Sequence, residues 1–326
     1  MRHIAAFEID AALDFPAVIE ALREAFTGGF FAPARHHHEI ERPGERAATN
    51  LLMPAWTTGA AGGFIGTKIV NVFPGNGARG LPAVLGLYIL QSGLTGEPLA
   101  TMDGTRLTHW RTAAASALAA SFLARADAEK LLIVGAGALA PYLARAHSSV
   151  RPIKSIAAWN HRPEGAATIA EALRAGGFDA QPADDLERAV RHADIISCAT
   201  LSTAPLISGA WLREGQHVDL VGAFNLSMRE ADDTALRRAR IFIDTSAALT
   251  EGGDVALALA SGAISPADIV ADLAALCLGQ PGRGADNEIT LFKSVGASIE
   301  DLAAAMLVWR KVGGVANSDG PDSSAR

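Results

Sequence analysis

The sequence predicts an α/β protein in which a doubly wound parallel sheet is joined to a second, α+β domain with an antiparallel sheet. Two observations carry this prediction. From residue 131 onward, short apolar runs alternate with helical patterns, which is typical of parallel strands covered by helices on both faces. In residues 50–104 the apolar runs are instead split by Gly, Pro and Asn, which indicates an antiparallel meander.

The spacing of the apolar residues places the elements in order. Strands are expected at residues 50–56, 64–73, 83–92, 98–104, 131–134, 155–160, 193–200, 217–224, 240–245 and 288–296. Helices are expected at residues 11–27, 108–126, 163–175, 184–192, 229–239 and 298–312. The last of these is amphipathic and is expected to return to the N-terminal half. The polar tail, residues 315–326, is expected to be disordered.

Composition excludes several classes of protein. The chain has 326 residues, of which 49% are hydrophobic, so it is long enough for two domains with cores. A formal net charge of −7 argues against nucleic acid as a partner. No apolar run approaches the length of a membrane span and the N-terminus lacks a signal-peptide core, so no membrane partner is expected. Cys198 and Cys277 form no C-x-x-C motif and are interpreted as reduced thiols of a cytoplasmic protein.

Residues 131–146, LLIVGAGALAPYLARA, contain a G-x-G-x-x-G/A motif between a predicted strand and a predicted helix. Gly135 allows the tight turn, Gly137 lets the backbone approach a pyrophosphate, and Ala140 is small enough for helix–strand packing. An ordinary tight turn is the alternative. The βα alternation downstream favours a Rossmann-type dinucleotide site.

The end of the second strand of this domain bears on which dinucleotide is bound. Sites that prefer NAD usually carry an acidic residue there. This strand ends in Trp159-Asn160-His161-Arg162, with no carboxylate and with an arginine that could bind a 2′-phosphate. NADPH is therefore the expected cofactor, with NADH as a further candidate. The alternative is that Arg162 is a solvated residue at a helix start.

Two cations are candidates for binding an anionic substrate. Arg111 is placed in the first turn of the predicted helix 108–126, where a substrate anion could bind to its guanidinium and to free backbone N–H groups. A structural ion pair, for example with Asp103, is equally compatible with the sequence. Lys68 lies in an otherwise apolar strand, so its ammonium either reaches a cleft or extends from a strand edge into solvent.

Two other segments are read as structural. His36 and His38 would share one face of a strand, but no third cluster of ligands is evident, so no metal site is expected. In Glu251-Gly252-Gly253-Asp254, which precedes a helix, Asp254 is expected to be an N-cap.

Taken together, these blocks resemble the ornithine cyclodeaminase/μ-crystallin family. The resemblance covers nearly the whole chain and rests on a specific combination of segments. The matching segments are LLMPAW (51–56), KIVNVFPGN (68–76), MDGTRLTHWRTAAASA (102–117), VGAGALA (134–140), HADIISCAT (192–200), HVDLVGA (217–223), MREADD (228–233), EGGDV (251–255) and LFKSVG (291–296).

The resemblance implies a homodimer with two domains per chain. Residues 1–113 with 300–326 would form the substrate-binding and dimerisation domain, and residues 114–299 the dinucleotide-binding domain. Lys68 and Arg111 would hold the substrate carboxylate as the catalytic pair. The other expected substrate contacts are Arg35 (or, less well, Arg42), Thr112 and Phe224. The expected cofactor contacts are Gly135, Gly137, Ala138, Leu139, Asn160, His161, Arg162, Ala199, Thr200, Val221, Gly222 and Ala223.

One departure from the family pattern indicates the reaction. Cyclodeaminases carry an aspartate where this chain has Phe224, and a phenyl ring cannot shuttle a proton. The segment VGAF with MRE resembles members that reduce Δ1-pyrroline-2-carboxylate to L-proline, often with the six-membered piperideine homologue. We therefore expect an NAD(P)H-dependent ketimine reductase acting on a small cyclic imino acid. The alternatives are an ornithine cyclodeaminase, an alanine-dehydrogenase-like enzyme and a non-catalytic ligand binder like μ-crystallin.

Overall fold

The computed structural model describes residues 1–59 and 63–312, so the predicted disordered tail lies outside the described residues. The helices are α1 (Ala6–Ala12), α2 (Phe15–Thr27), α3 (Gly104–Leu123), α4 (Ala140–Val150), α5 (Pro163–Ala175), α6 (Leu186–His192), α7 (Asp233–Arg238), α8 (Gly253–Ala260), α9 (Leu273–Cys277) and α10 (Ser298–Lys311). The strands are β1 (Arg2–Ile4), β2 (Phe30–Phe31), β3 (His36–Ile40), β4 (Ala48–Thr57), β5 (Phe64–Val72), β6 (Val84–Ser92), β7 (Pro98–Asp103), β8 (Lys130–Val134), β9 (Ser155–Trp159), β10 (Ala180–Pro182), β11 (Ile195–Cys198), β12 (His217–Leu220), β13 (Arg240–Ile243), β14 (Ile269–Asp272) and β15 (Thr290–Lys293).

The first sheet contains the predicted meander, in which β4, β5, β6 and β7 pair antiparallel in sequence order. The sheet is nevertheless mixed rather than purely antiparallel, because β1 joins its edge parallel to β7. A strand of three residues is too short to show a period of two, so this strand was not predicted. At the opposite edge, β2 and β3 both pair with β4.

The second sheet is parallel throughout, as the strand–helix alternation predicts. Its strand order is β10-β9-β8-β11-β12-β15-β13-β14. The last strand in sequence, β15, therefore lies between β12 and β13 rather than at an edge. Short strands β10 and β14 extend the two edges and were not predicted. The predicted α/β architecture is confirmed.

Helix α3 connects the two halves of the molecule. Its N-terminus is capped by Asp103, whose carboxylate accepts a hydrogen bond from the Arg106 N–H at 2.8 Å. Farther along, Ser116 donates to the buried Asp219 of β12 at 3.0 Å, which ties the helix to the parallel sheet. At the other end, Arg151 donates to backbone carbonyls of the last turn of α3. Because both ends and the middle are fixed, side chains on α3 are held firmly against both sheets.

Helix α10 packs against α2, α3, β4 and β5, so it covers the inward face of the first sheet. Most of its residues are buried, including two adjacent acids, Glu300 and Asp301. In the described part of the chain, no helix combines the length and the apolar character needed to cross a membrane.

Candidate active site

Five strands of the parallel sheet end at one edge, and the register shows which turns meet there. Val134 of β8 is level with Trp159 of β9 and Cys198 of β11. Cys198 is in turn level with Leu220 of β12, which pairs with Lys293 of β15. The turns that follow these five residues therefore lie side by side. This carboxyl edge is where doubly wound sheets bind their ligands.

The glycine-rich turn has the shape that a dinucleotide requires. Gly135 has a φ of 115°, and a Cβ there would lie 2.6 Å from the Ala199 carbonyl oxygen. A Cβ on Gly137 would meet no atom within 4 Å, and α4 begins at Ala140. Open space thus lies above Gly137, in front of the helix N-terminus, where a pyrophosphate fits. The turn accommodates the group that the motif predicts.

The second strand ends without an acid, as its sequence indicates. The Asn160 side chain turns inward and donates to the Arg162 carbonyl at 3.1 Å. His161 and Arg162 are exposed, and Arg162 immediately precedes α5. No carboxylate in the described ranges forms an ion pair with the Arg162 guanidinium. This guanidinium is therefore accessible to a phosphate.

The loop after β12 has a constrained backbone. Ala223 has a φ of 47°, and a Cβ on Gly222 would lie 2.3 Å from the Thr200 carbonyl oxygen. Thr200 donates through its N–H and its hydroxyl to Glu230, at 2.7 and 2.8 Å. Val221, Gly222 and Ala223 are buried, whereas Phe224 is half-buried at the mouth of the loop. The predicted nucleotide residues 199–200 and 221–223 are thus in direct contact.

A buried ion pair that the sequence did not reveal supports this loop. Lys293 donates to the Gly222 carbonyl and lies 3.2 Å from the Asp254 carboxylate. Asp254 also accepts the backbone N–H groups of Glu230 and Ala231, at 2.7 and 2.9 Å. The expectation that Asp254 is an N-cap is wrong, since Gly252 occupies that position on α8. Burial raises the pKa of Glu230 to about 8.

Arg111 lies in the middle of α3 and not in its first turn, because the Asp103 cap starts the helix at Gly104. Its backbone N–H is therefore part of the helix, and only the guanidinium can bind a ligand. That guanidinium is buried and donates to Asp301 and to Glu300, each at 2.9 Å. The ion-pair alternative is thus present, with partners on α10 in place of Asp103. Although burial lowers the pKa of Arg111, these two carboxylates raise it overall.

Lys68 is only 1% exposed and points to the inward side of the first sheet. Its Nζ lies 2.8 Å from both carboxylate oxygens of Asp301 and 3.4 Å from the Thr108 hydroxyl. It does not extend from a strand edge into solvent. Burial, and then repulsion from Arg111, lower the pKa of Lys68 to about 8, against the attraction of Asp301.

Arg35 reaches the same region from the first sheet. It donates to the carbonyls of Val295 and Gly296, at 3.2 and 2.9 Å, and pairs with Glu251 at 3.2 Å. A Cβ on Gly296 would lie 2.5 Å from the Arg111 guanidinium, so Arg35 and Arg111 flank one short segment. Arg42 pairs instead with Glu45 of its own loop. Of the two arginines that the resemblance allowed, Arg35 is the one near the cluster.

Asp301 joins the two predicted catalytic cations, since it binds both Lys68 and Arg111. We call Lys68, Arg111, Glu300 and Asp301 the clamp.

Thr112 follows Arg111 on α3 and is half-buried. Phe224 lies in the loop after β12, and the segment at Gly296 follows the neighbouring strand β15. The two acids of the clamp were not predicted, because helix 298–312 was interpreted only as an amphipathic helix that returns to the N-terminal half.

The histidine run lies on β3 as an exposed strand, with the His36 and His38 rings 6.3 Å apart. Within residues 1–59 and 63–312, no three His, Cys, Asp or Glu side chains are grouped closely enough to hold a metal ion.

Known proteins are similar to this chain in sequence and in fold. A Δ1-pyrroline-2-carboxylate reductase of Paracoccus denitrificans is 39% identical over 307 residues, covering 93% of this chain and 94% of that protein. The structure of Thermococcus litoralis Δ1-pyrroline-2-carboxylate reductase in complex with NADH and L-proline superposes with a TM-score of 0.91 at 33% identity, covering 96% and 97% of the two chains. An archaeal alanine dehydrogenase dimer with bound NAD gives a TM-score of 0.88 at 31% identity, covering 96% of each chain.

The profile of the ornithine cyclodeaminase/mu-crystallin family matches residues 5–315. This match covers the glycine-rich turn, the clamp and the loop after β12, which are the three parts of the site described above. The predicted resemblance is therefore confirmed, and the chain belongs to the ornithine cyclodeaminase/mu-crystallin family.

Proposed function

We propose that this protein is an NAD(P)H-dependent reductase of a small cyclic ketimine carboxylate. Its principal reaction is the reduction of Δ1-pyrroline-2-carboxylate to L-proline, with the six-membered homologue as a second substrate. The observation that carries the proposal is the buried pair of cations Lys68 and Arg111, whose arginine lies against the Gly296 segment that follows β15. The uncharged Phe224, in the loop after the neighbouring strand β12, agrees with it. Relatives named for this activity support it.

In this proposal the bound nicotinamide supplies the hydride that reaches C2 of the imine. The chain's own residues position the substrate. Arg111 and Lys68 hold the carboxylate, and the rigid α3 keeps them in place. Phe224 offers an apolar surface to the ring and keeps water away. Lys68, with a pKa of about 8, holds a proton on Nζ at neutral pH and is the candidate donor to the imine nitrogen.

An alanine-dehydrogenase-like reaction is the second candidate, because the archaeal enzyme superposes over nearly the whole chain. A clamp for an α-carboxylate serves either reaction. We place it second because pyruvate and ammonia would have to be captured separately, whereas a cyclic imine brings carbon and nitrogen together.

Substrate choice separates the candidates. We expect NADPH oxidation with Δ1-pyrroline-2-carboxylate to exceed that with pyruvate plus ammonia, and we expect no ammonia release from L-ornithine, because Phe224 replaces the carboxylate that deamination uses. Phe224→Asp should lower imine reduction, since it places a charge next to the apolar face of the ring, while Phe224→Leu should retain most activity. Initial rates by absorbance and an ammonia assay measure both. Robust ornithine deamination by the unmodified protein would overturn the assignment.

NADPH preference is part of the proposal and rests on Arg162. Arg162→Ala should weaken NADPH binding by roughly 1–3 kcal/mol, the contribution of a hydrogen bond to a charged group, and leave NADH binding nearly unchanged. Fluorescence titration with each nucleotide measures this. Arg237→Ala, on the exposed surface of α7, is the matched control and should alter neither affinity. Equal losses for both nucleotides in Arg162→Ala would assign that side chain a structural role.

We also propose that the enzyme is cytoplasmic. A separate proposal is that two copies of the chain pair through the outward face of the first sheet. Leu52, Ile69 and Leu87 lie level on that face, across three strands, and Leu87 is 40% exposed. An apolar sheet face of this kind favours association. The proposed division into a substrate domain (1–113 with the last helix) and a nucleotide domain (114–299) gives this face to the substrate domain. Sedimentation at the mass of one chain would contradict the homodimer.

A further inference from the structure

The clamp has a charge balance that affects how it can accept a ligand. Its two cations, Lys68 and Arg111, are matched by two buried carboxylates, Glu300 and Asp301. Arg35, the next cation, is already paired with Glu251. A substrate carboxylate therefore adds one uncompensated negative charge to a buried, neutral cluster. Such a charge is costly unless a proton or a cation enters with it.

The carboxylates near the clamp differ in how many hydrogen bonds they accept. Asp301 is held by both Lys68 and Arg111, and Asp244 accepts three backbone N–H groups, from residues 245, 295 and 296. Glu300 has a single partner, Arg111, and within the described ranges its Oε1 is buried without any hydrogen bond. Asp301 Oδ2 also lacks a hydrogen bond, but it lies 2.8 Å from the Lys68 ammonium. Of the two acids of the clamp, Glu300 is therefore the one with an oxygen away from both cations, where a proton can be added.

We propose that Glu300 takes up a proton from solvent when a substrate carboxylate binds at Lys68 and Arg111, so that the clamp binds an anion and a proton together. This inference rests on the proposed function, because it takes the clamp to receive a carboxylate. Glu300 is then a positioning residue, since it acts through Arg111 and does not touch the ligand. Its neutral form releases the Arg111 guanidinium to pair with the incoming carboxylate.

The surroundings of Glu300 agree with this role. Burial raises its pKa to about 7, with Arg111 opposing the change and Asp244 and Asp301 adding to it. A carboxyl whose pKa is raised in this way is readily protonated when a further anion arrives next to it. The charged and titratable groups facing it or its partners are Arg111 on α3, Lys68 on β5, Tyr88 on β6, Asp244 after β13, Asp301 on α10 and Arg35 before β3.

The test is a measurement of proton uptake on ligand binding. The probe is furan-2-carboxylate, a planar five-membered ring carboxylate without a basic nitrogen, titrated calorimetrically into the protein with saturating NADPH. Comparison of two buffers of different ionisation enthalpy at pH 7 gives the number of protons bound. We expect net proton uptake on binding for the wild type, and a Kd that rises as the pH rises above 7, by up to about tenfold per pH unit.

Glu300→Gln is nearly isosteric and cannot titrate. We expect its proton uptake to fall close to zero and its Kd to stay flat between pH 6 and about pH 7.5, above which deprotonation of Lys68 weakens binding. Glu20→Gln, at the exposed surface of α2, should behave like the wild type. Thermal melts report whether the variants fold.

Three outcomes overturn the inference: no proton uptake by the wild type, unchanged uptake in a folded Glu300→Gln, or no binding of furan-2-carboxylate. If Glu300→Gln does not fold, the proton uptake of the wild type still tests the inference by itself. Proton-linked binding without reduction of Δ1-pyrroline-2-carboxylate would contradict the proposed function alone. Reduction without proton uptake would contradict only the role of Glu300.

Discussion

Replacing Arg111 with lysine is expected to lower kcat/KM for imine reduction by about 100-fold, equivalent to about 2.7 kcal/mol. A lysine keeps the charge but has one ammonium in place of a planar fork. In the wild type the Arg111 guanidinium binds Glu300 and Asp301 at the same time. Its Nη1 and Nη2 atoms also face Gly296. An ammonium gathers its three N–H groups on one atom, so it cannot span both carboxylates and also offer a bidentate edge to the substrate.

Lysine is preferable to alanine at this position. Arg111→Ala would leave Glu300 and Asp301 buried with one cation fewer, which typically costs about 3–5 kcal/mol of folding stability. Arg106→Lys is the matched control on the same helix, because Arg106 binds Tyr142 and Asp10 away from the clamp. It should keep kcat/KM within a few-fold. NADPH affinity should be unchanged in both lysine variants, and near-normal kcat/KM in Arg111→Lys would remove this guanidinium from the site.

Lys68→Met is expected to lower kcat/KM by about 100-fold or more. The methionine fills most of the volume, but the clamp then carries one cation against two acids, so an anionic substrate is repelled. The candidate proton donor is lost as well. Steady-state rates with Δ1-pyrroline-2-carboxylate measure the loss, which we expect in both kcat and KM.

Two further variants separate an effect of Lys68→Met on the reaction from an effect on folding. Lys154→Met removes an exposed lysine that pairs with Glu129 at the surface, and it should leave the rates unchanged. Lys68→Met combined with Asp301→Asn restores the charge balance of the buried cluster. We expect that pair to recover thermal stability without recovering activity. Recovery of activity would show that Lys68 balances charge and does not contact the substrate.

The sequence predicted the parts of the fold that have a long or repeated signal. The glycine-rich turn has a recognisable motif, and the parallel sheet and the strands around Lys68 have clear apolar patterns. All three features are present in the structure. Strands β1, β10 and β14 have only three or four residues, too few for a period to show. The start of α3 was placed late because Asp103 was weighed as a partner of Arg111 and not as a cap.

The candidate site was likewise predicted only in part. Lys68 and Arg111 were identifiable because a cation in an apolar run or near a helix start needs an explanation. Their partners, Glu300 and Asp301, were not, because two acids in the first turn of a predicted amphipathic helix are ordinary. The available sequence signal for a buried helix was that its other positions are largely apolar. Long-range pairing between residues 68, 111 and 301 is a property of the folded chain, and no local pattern encodes it.

Hydride transfer to the imine carbon is the central claim, and isotope transfer tests it most directly. The protein would be incubated with Δ1-pyrroline-2-carboxylate and NADPH carrying deuterium at C4 of the nicotinamide, in each of its two stereoisomers, and the product analysed by mass spectrometry and NMR. We predict L-proline with one deuterium at C2 from one stereoisomer and none from the other. Proline without deuterium from either stereoisomer, or nicotinamide left unoxidised, would contradict the account.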